Sequence, residues 1–573
     1  SIPTHYTTTK QQQTKQTNNK QQQTDELMSK LRRQPHSTVN LNRRRRALAE
    51  HPLINIHHKG DHIFDPRDGR LKVIPERDFM YNVPYEITEG KHSYEDAPNP
   101  VNQLGGLIEG VVPVATSNDF KSFLSAFNKR CNFDQGLDDD IDDRSFNEAL
   151  VLINSLPDIF EPWDDNELDR DRWLSKFDWS KRQRMVDGYN TIPIADYKYV
   201  GTKDLSVKQE ILLKRYDDTW APRIINAGND CFNAITGPAA MICMERFCAF
   251  LKQHSLGNVE VLPAYKQNDV SLLDFLVDER FTHTVEGDFS RNDSEQRNRV
   301  AFLIDAWLVK LNMPEWYRTL CLKISVYHVQ NRQFGFKAKV RFQLPTGTTS
   351  TTYRNSMYNA TMFAVVCNRQ NRHGKALILG DDLLARLNQR LDLKAWVLTV
   401  ASFKMVLKAK APRLNSEATF LSRRIILDGP VPCMIPLIGK ALARFNARGT
   451  SNPAVDDNSY MAGKALSYAY EFRHVPWMSS KFLQRYKMHE TTKPVFDELS
   501  WFTRTSGIDS LLGIVDAIAN ETVLIDDDTF ECWLCEFYDS DLIELEAVID
   551  STVLNPNVEI VDSPWFQKFL IDC

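Results

Sequence analysis

The sequence predicts an α+β protein, and three observations carry that prediction. The run Leu377-Ile378-Leu379-Gly380-Asp381-Asp382-Leu383-Leu384 is apolar with a turn signal in its middle, which reads as a buried β-hairpin. Thr282 to Gly287 reads as a strand, and Val300, Leu303, Ile304, Trp307, Leu308 and Leu311 follow at helical spacing. Beyond residue 435 the pattern turns mostly helical. At 573 residues the chain is too long for one simple core, so two or more subdomains are expected.

From the N-terminus, residues 1–36 are rich in Gln, Thr and Lys and nearly free of apolar periodicity. Such a composition cannot offset the entropy of ordering, so this stretch is expected to be disordered, or ordered only when docked on a partner, within a basic low-complexity arm over residues 1–48. Residues 1–46 hold ten Lys/Arg against Asp25 and Glu26, a net of +8. The tetrad Arg43, Arg44, Arg45 and Arg46 reads as a solvated face or a phosphate-binding tail. Residues 511–573 hold fifteen Asp/Glu against Lys568 alone, a net of −14. This asymmetry suggests a nucleic-acid contact at one end and an acidic partner surface at the other.

The composition, 42% hydrophobic and 25% charged, is that of an ordinary globular protein. Ten cysteines do not make a disulfide scaffold; Cys532-Trp-Leu-Cys535 lacks a second pair and reads as packing rather than zinc. A reducing compartment follows as the default. There is no run of 18 apolar residues, so no transmembrane segment is expected, and the polar residues 1–24 do not resemble a secretory signal. The cluster Asp138 to Asp143 lacks the Gly and terminal Glu of a calcium loop, and Trp163, Trp173 and Trp179 read as packing.

The informative segments begin at Lys214-Arg215, which leads to Pro222-Arg223-Ile224-Ile225 and then a helical stretch from Ala239 to Lys252. Arg223 in a β-prone run is either a salt-bridged surface residue or a clamp for phosphate oxygens. Asp288 closes its strand, and Asp293 lies near the next helix start, where a capping role is the simpler alternative. Residues 341–367 carry Pro345-Thr346-Gly347 and a run of hydroxyls through Thr351 into a helix with Asn355, Met357 and Asn359. That loop is either a Thr-rich cap or a mobile segment over a sugar–phosphate backbone. In the hairpin, burial of both strands forces Asp381 and Asp382 to the tip, where paired carboxylates repel unless a cation intervenes. Oxygen-only ligands suit magnesium or manganese. Leu383 to Ala401 has helical spacing, Lys404, Lys408 and Lys410 follow, and Ala418 to Leu427 is strand-like.

Order and spacing join these pieces. Gly347 lies 59 residues after Asp288, and Asp381 lies 34 residues after Gly347. Two strand-end Asp sites brought together would hold two divalent ions for in-line displacement at phosphorus. The chain resembles the RNA-dependent RNA polymerases of positive-strand RNA viruses over roughly residues 210–430. Asp288-x4-Asp293 matches their motif A, Thr346-Gly347-x3-Thr351-x3-Asn355 motif B, and Gly380-Asp381-Asp382 motif C. Lys214, Arg215 and Arg223 look like motif F, Phe420-Leu421-Ser422-Arg423 like motif E, and Lys404, Lys408 and Lys410 are candidates for the motif D lysine. The motif style is closest to alphavirus-like, nodavirus-like and tombusvirus-like polymerases.

The resemblance implies a right-hand fold: a palm with an antiparallel sheet, fingers and a mainly helical thumb. After the arm, residues 49–281 would form an N-terminal extension and fingers, 282–309 palm, 310–344 a fingers insertion, 345–428 palm, and 429–573 thumb with the acidic region. It implies template-directed RNA synthesis from nucleoside triphosphates with two Mg2+ or Mn2+ ions on Asp288, Asp381 and Asp382, and Lys408 is taken as the catalytic lysine. Asp293, Gly347, Thr351, Asn355, Lys214, Arg215 and Arg223 would bind nucleotide, with Asp293 and Asn355 on the ribose 2′-hydroxyl. Arg43 to Arg46, Ser422 and Arg423 would bind RNA. Template, nascent RNA and other viral replication or capsid proteins are the implied partners, in the host cytoplasm, in a replication complex or virus particle. A reverse transcriptase would share the metals and the fold, but Leu379-Gly380 and the Asp293/Asn355 pair argue against it. The arm also fits an added capsid-docking role.

Overall fold

A computed structural model describes residues 101–572 apart from 110, 117–118, 133–142, 192–200, 209, 215–220, 297, 413–416, 428–430, 450–454, 490–510 and 563, together with the short strands at 62–64, 71–73 and 85–87. The arm, its four arginines, Arg215 and the acidic run 138–142 lie outside the described residues.

A five-stranded sheet forms the centre. Its strands are β1 (Val259–Pro263), β2 (His283–Ser290), β3 (Gly374–Leu379), β4 (Asp382–Leu387) and β5 (Val406–Lys410), in the spatial order β1-β3-β4-β2-β5. The pairs β3–β4, β4–β2 and β2–β5 are antiparallel, whereas β1 runs parallel to β3. The expected antiparallel sheet therefore gains one parallel edge strand, drawn from residues N-terminal to 282. Helices α1 (Asp230–Gln253), α2 (Asn298–Lys310), α3 (Thr351–Arg369) and α4 (Leu393–Ala401) share the main apolar core with this sheet.

Alternation along β3 and β4 explains the continuous apolar run. Ala376, Ile378, Leu383 and Ala385 enter the core of α1 to α4, while Leu377 and Leu384 enter a second core with the helix Asp269–Leu276 and residues 418–434. Both faces are buried, so neither can be polar. For the same reason the helical spacing over Leu383 to Ala401 misleads at its start: Leu383–Leu387 completes the hairpin, and α4 begins only at Leu393, behind the Asp392 cap. The expected strand at Ala418 to Leu427 is likewise split into Thr419–Phe420 and Arg423–Ile426, because Leu421 and Ser422 both adopt positive φ.

A second five-stranded sheet orders 85–87, Phe336–Arg341, Val326–Asn331, Thr202–Val207 and Ile224–Gly228. It thus joins segments before and after β2. Phe123 and Phe127 of the helix Phe120–Arg130 pack edge-on against Phe336. Beyond residue 435 the elements are mainly helices, with a core of their own that includes Ile108 and Val111. An N-terminal strap ties the regions together: Asn102–Gln103 pairs with Ala447–Arg448, Leu107–Ile108 with Ile560–Val561, and Val112–Ala115 with Ile211–Lys214.

Among the described residues, α1 is the one helix long and apolar enough to cross a membrane, and most of its apolar stretch is buried inside the protein. Trp173 is buried as expected, but Trp179 is 76% exposed. Cys532 and Cys535 are free and exposed rather than packed; on the helix Asp527–Tyr538 it is the intervening Trp533 and Leu534 that turn inward.

Candidate active site

The site forms where β2 ends and the β3–β4 hairpin turns. Side chains alternate along β2, so Val285 and Phe289 face the helices while Asp288 is exposed. The register Gly287 to Leu383, continued by one residue, brings Asp288 level with Asp382, and on the other side Asp288 pairs directly with Lys408. Antiparallel partners point to the same face, so Lys408 stands beside Asp288. Lys410 instead forms an ion pair with Glu286 at 2.8 Å, and Lys404 lies in a turn with φ 59°. Among the three lysines, register therefore singles out Lys408.

Gly380 allows the hairpin turn at φ +65°, and its backbone N–H donates to Ser356 Oγ at 2.8 Å. Asn359 Nδ2 donates to the Asp381 carbonyl at 3.0 Å. Helix α3 thus grips the turn that carries both aspartates. The same helix presents Asn355, whose Nδ2 donates to Asp293 Oδ1 at 2.9 Å. Asp293 sits in the four-residue helix Asn292–Glu295, next to the left-handed Arg291. Gly347 adopts φ +86°, and Thr351 begins α3 with its hydroxyl on the Thr348 carbonyl at 3.1 Å. The Asn226 N–H donates to the Thr346 carbonyl at 2.9 Å, so the loop before α3 is pinned to the second sheet.

The electrostatics are those of crowded carboxylates. Burial lifts Asp381 to about 6, with Asp288 and Asp293 adding to the rise and Arg223 opposing it. Burial lifts Asp382 to about 7, with Asp381 and Asp288 adding and Lys440 opposing. Asp288 is raised by desolvation against the pull of Lys408. Asp293 is raised by burial, against hydrogen bonds from Asn355 and Thr346. Among the described residues no three His, Cys, Asp or Glu side chains form a ready-made ligand cluster; the aspartates meet through their fields. Their donors are all oxygen, which suits a hard divalent cation, and such a cation would offset the burial that raises them and the repulsion that adds to it at Asp381 and Asp382.

Other expected residues divide. Arg223 is exposed and ion-paired with Glu210, with Nε to Oε1 at 2.6 Å, which is the salt-bridged surface alternative, and its charge also reaches Asp381. Lys214 ends the strand Ile211–Lys214. Ser422 is exposed at its turn and accepts from Lys440 Nζ at 3.0 Å, the same lysine that Asp382 senses. Arg423 is buried and ion-paired with Glu471, which makes it a structural ion pair and not an RNA-facing group in this structure. The residue after an exposed turn position points inward here, a detail the motif does not carry. Sequence reasoning missed Ser356, which follows Asn355 with no signature of its own, and Gln296, which touches Asn355. Asn359 was within reach of it, being one helical turn beyond Asn355.

A family model described as RNA dependent RNA polymerase matches residues 91–506. No curated protein matches the chain.

Proposed function

The chain belongs to the RNA-dependent RNA polymerase family and is an RNA-directed RNA polymerase, and from that premise we propose how its residues divide the work of template-directed nucleotidyl transfer. The central sheet, including β1, with 282–309 and 345–428 is read as the palm, the second sheet with the rest of 49–281 and 310–344 as fingers, and 429–573 as the thumb. One observation carries the assignment of the site: Asp382, Asp288 and Lys408 fall in one row across the sheet, beside the turn that holds Asp381.

Asp288, Asp381 and Asp382 would hold two divalent ions, Mg2+ or Mn2+. When bound, these supply charge stabilisation for the attacking hydroxyl and the leaving pyrophosphate. Lys408, level with Asp288, is placed to give a proton to the departing pyrophosphate oxygen. Arg223 holds triphosphate oxygens, its fork kept in place by Glu210. Asp293 and Asn355 accept and share the ribose 2′-hydroxyl, so a deoxyribose would leave buried polar groups unpaired. The substrates are an RNA template and nucleoside triphosphates, and the setting is a replication complex in the host cytoplasm.

The test is Asp381→Asn, which keeps shape and removes charge. Template-directed incorporation should fall by roughly three or more orders of magnitude, with the melting temperature nearly unchanged. Near-normal synthesis by this variant would refute the metal assignment.

A further inference from the structure

Gln296 takes no part in the chemistry described above, yet it is 1% exposed and bonded to the ribose-reading pair. Its Nε2 donates to Asn355 Oδ1 at 2.5 Å and lies 3.4 Å from Asn292 Oδ1. The direction of this chain of amides is fixed at one end. Asp293 Oδ1 accepts from Asn355 Nδ2, so Asn355 turns its NH2 toward Asp293. Its carbonyl then faces away from Asp293 and requires a donor. Gln296 supplies that donor from a position where solvent does not reach.

An asparagine amide is nearly symmetric in shape, and only its partners distinguish its two orientations. Without Gln296, the flipped orientation of Asn355 would face its oxygen to the Asp293 carboxylate. Two acceptors would then confront each other where a sugar hydroxyl is to be held. The geometry points to Gln296 as the positioning residue that locks the Asn355 amide and so sets the preference for ribonucleotides. This rests on the ribose-reading role proposed for Asp293 and Asn355. Asn292 is a weaker partner of the same amide, and among the described residues the Gln296 carbonyl has no hydrogen-bond partner, so the side chain's one strong bond there is the one to Asn355.

The test measures single-nucleotide incorporation of ATP against 2′-deoxy-ATP on an RNA template with the full chain, in a double-mutant cycle of Gln296→Leu and Asn355→Ala. Gln296→Leu keeps most of the volume and removes the donor. We expect its ribose-to-deoxyribose ratio of kcat/KM to narrow about tenfold, the loss falling on the ribonucleotide. In the Asn355→Ala background it should narrow the ratio no further, because Gln296 acts through Asn355. A merely structural glutamine would lower the melting temperature and leave the ratio alone, and that result overturns the inference. If Asn355→Ala narrows the ratio and Gln296→Leu does not, the positioning role falls while ribose reading stands. If Asn355→Ala itself leaves the ratio unchanged, both fall. Should Gln296→Leu be too unstable to assay, Gln296→Met carries the same test: it removes the donor while keeping an unbranched side chain of similar length, so an unchanged ratio overturns the role.

Discussion

Lys203 is a lysine held in the protein interior with no hydrogen-bond partner for its side-chain nitrogen among the described residues. Its Nζ lies 3.6 Å from the centre of the Phe232 ring, and desolvation pushes its pKa down to about 7. The unfolded chain binds the proton up to the ordinary value of 10.5, so between the two values the unfolded state holds more protons and stability rises with pH. Below about 7 the folded protein bears the full burden of a buried charge. Lys203→Met should therefore be more stable than the parent at pH 6. Denaturant titrations should show its advantage shrinking by roughly 1.4 kcal/mol per pH unit from about 7 upward; a constant difference across that range would count against a charged Lys203. At this scale the sequence was readable where a residue acts on its own account. Asp288, Asp381 and Asp382 stand out because acidic residues at strand ends and turns need a reason. Gln296 and Ser356 do not, because a polar side chain that holds another polar side chain has no spacing signature. Lys408 could not be separated from Lys404 and Lys410 until strand register put it opposite Asp288.

The loop before α3 and the hairpin turn place glycine under different constraints. Gly380 has φ +65° and open space around the position a Cβ would take, whereas at Gly347, with φ +86°, a Cβ would come within 3.2 Å of Ile225. Gly380→Ala should lower stability by about 1 kcal/mol from the dihedral alone. Gly347→Ala should lower it by about 2 kcal/mol or more, since the loop must also lift from the strand Ile224–Gly228. Equal losses in paired unfolding experiments would show that the loop yields freely. The β3–β4 hairpin and the helix after β2 were legible because burial imprints apolar periodicity on the chain. The parallel edge strand β1 was not, because its partner β3 lies more than a hundred residues away, and nothing local records a crossover. The division of residues 418–427 at Leu421 and Ser422 was hidden for a related reason: neither residue type advertises positive φ.

Across the molecule, a buried ionic joint connects the C-terminal helices to the central sheet. Asp269, at the start of the helix Asp269–Leu276, meets Arg473 and His474, the latter at 2.9 Å, while Glu521 takes Arg473 Nε at 2.7 Å. Burial alone would raise the Asp269 carboxyl, but His474 and Arg473 outweigh it and hold it well below the ordinary carboxylate range. A depressed carboxyl lends stability that is complete above its unfolded value and lost as pH falls through the folded one, so this contribution weakens below about pH 4. Asp269→Asn should destabilise by about 3–5 kcal/mol at neutral pH, because the buried Arg473 guanidinium and His474 ring lose the carboxylate they share. It should also flatten the acid limb of the stability curve; an unchanged acid limb would place the joint's energy elsewhere. For residues 1–46, with their net of +8, deletion should leave single-nucleotide incorporation largely intact while RNA affinity drops and its salt slope shallows by roughly 0.7–0.9 per lost phosphate contact. Filter binding at several salt concentrations checks this, and an unchanged slope would mark the arm as a bystander. The strap at residues 102–115 adds a constraint of timing. Asn102 bonds to Asp457, 355 residues later, and Leu107–Ile108 waits for Ile560–Val561 near the far end of the chain. At translation speeds of about 5–20 residues per second, the N-terminal strands emerge tens of seconds before their partners exist. Residues 112–115 find their partner at 211–214 early, whereas 102–108 are fixed only after segments made hundreds of residues later have emerged, so the strap closes in two stages separated in time.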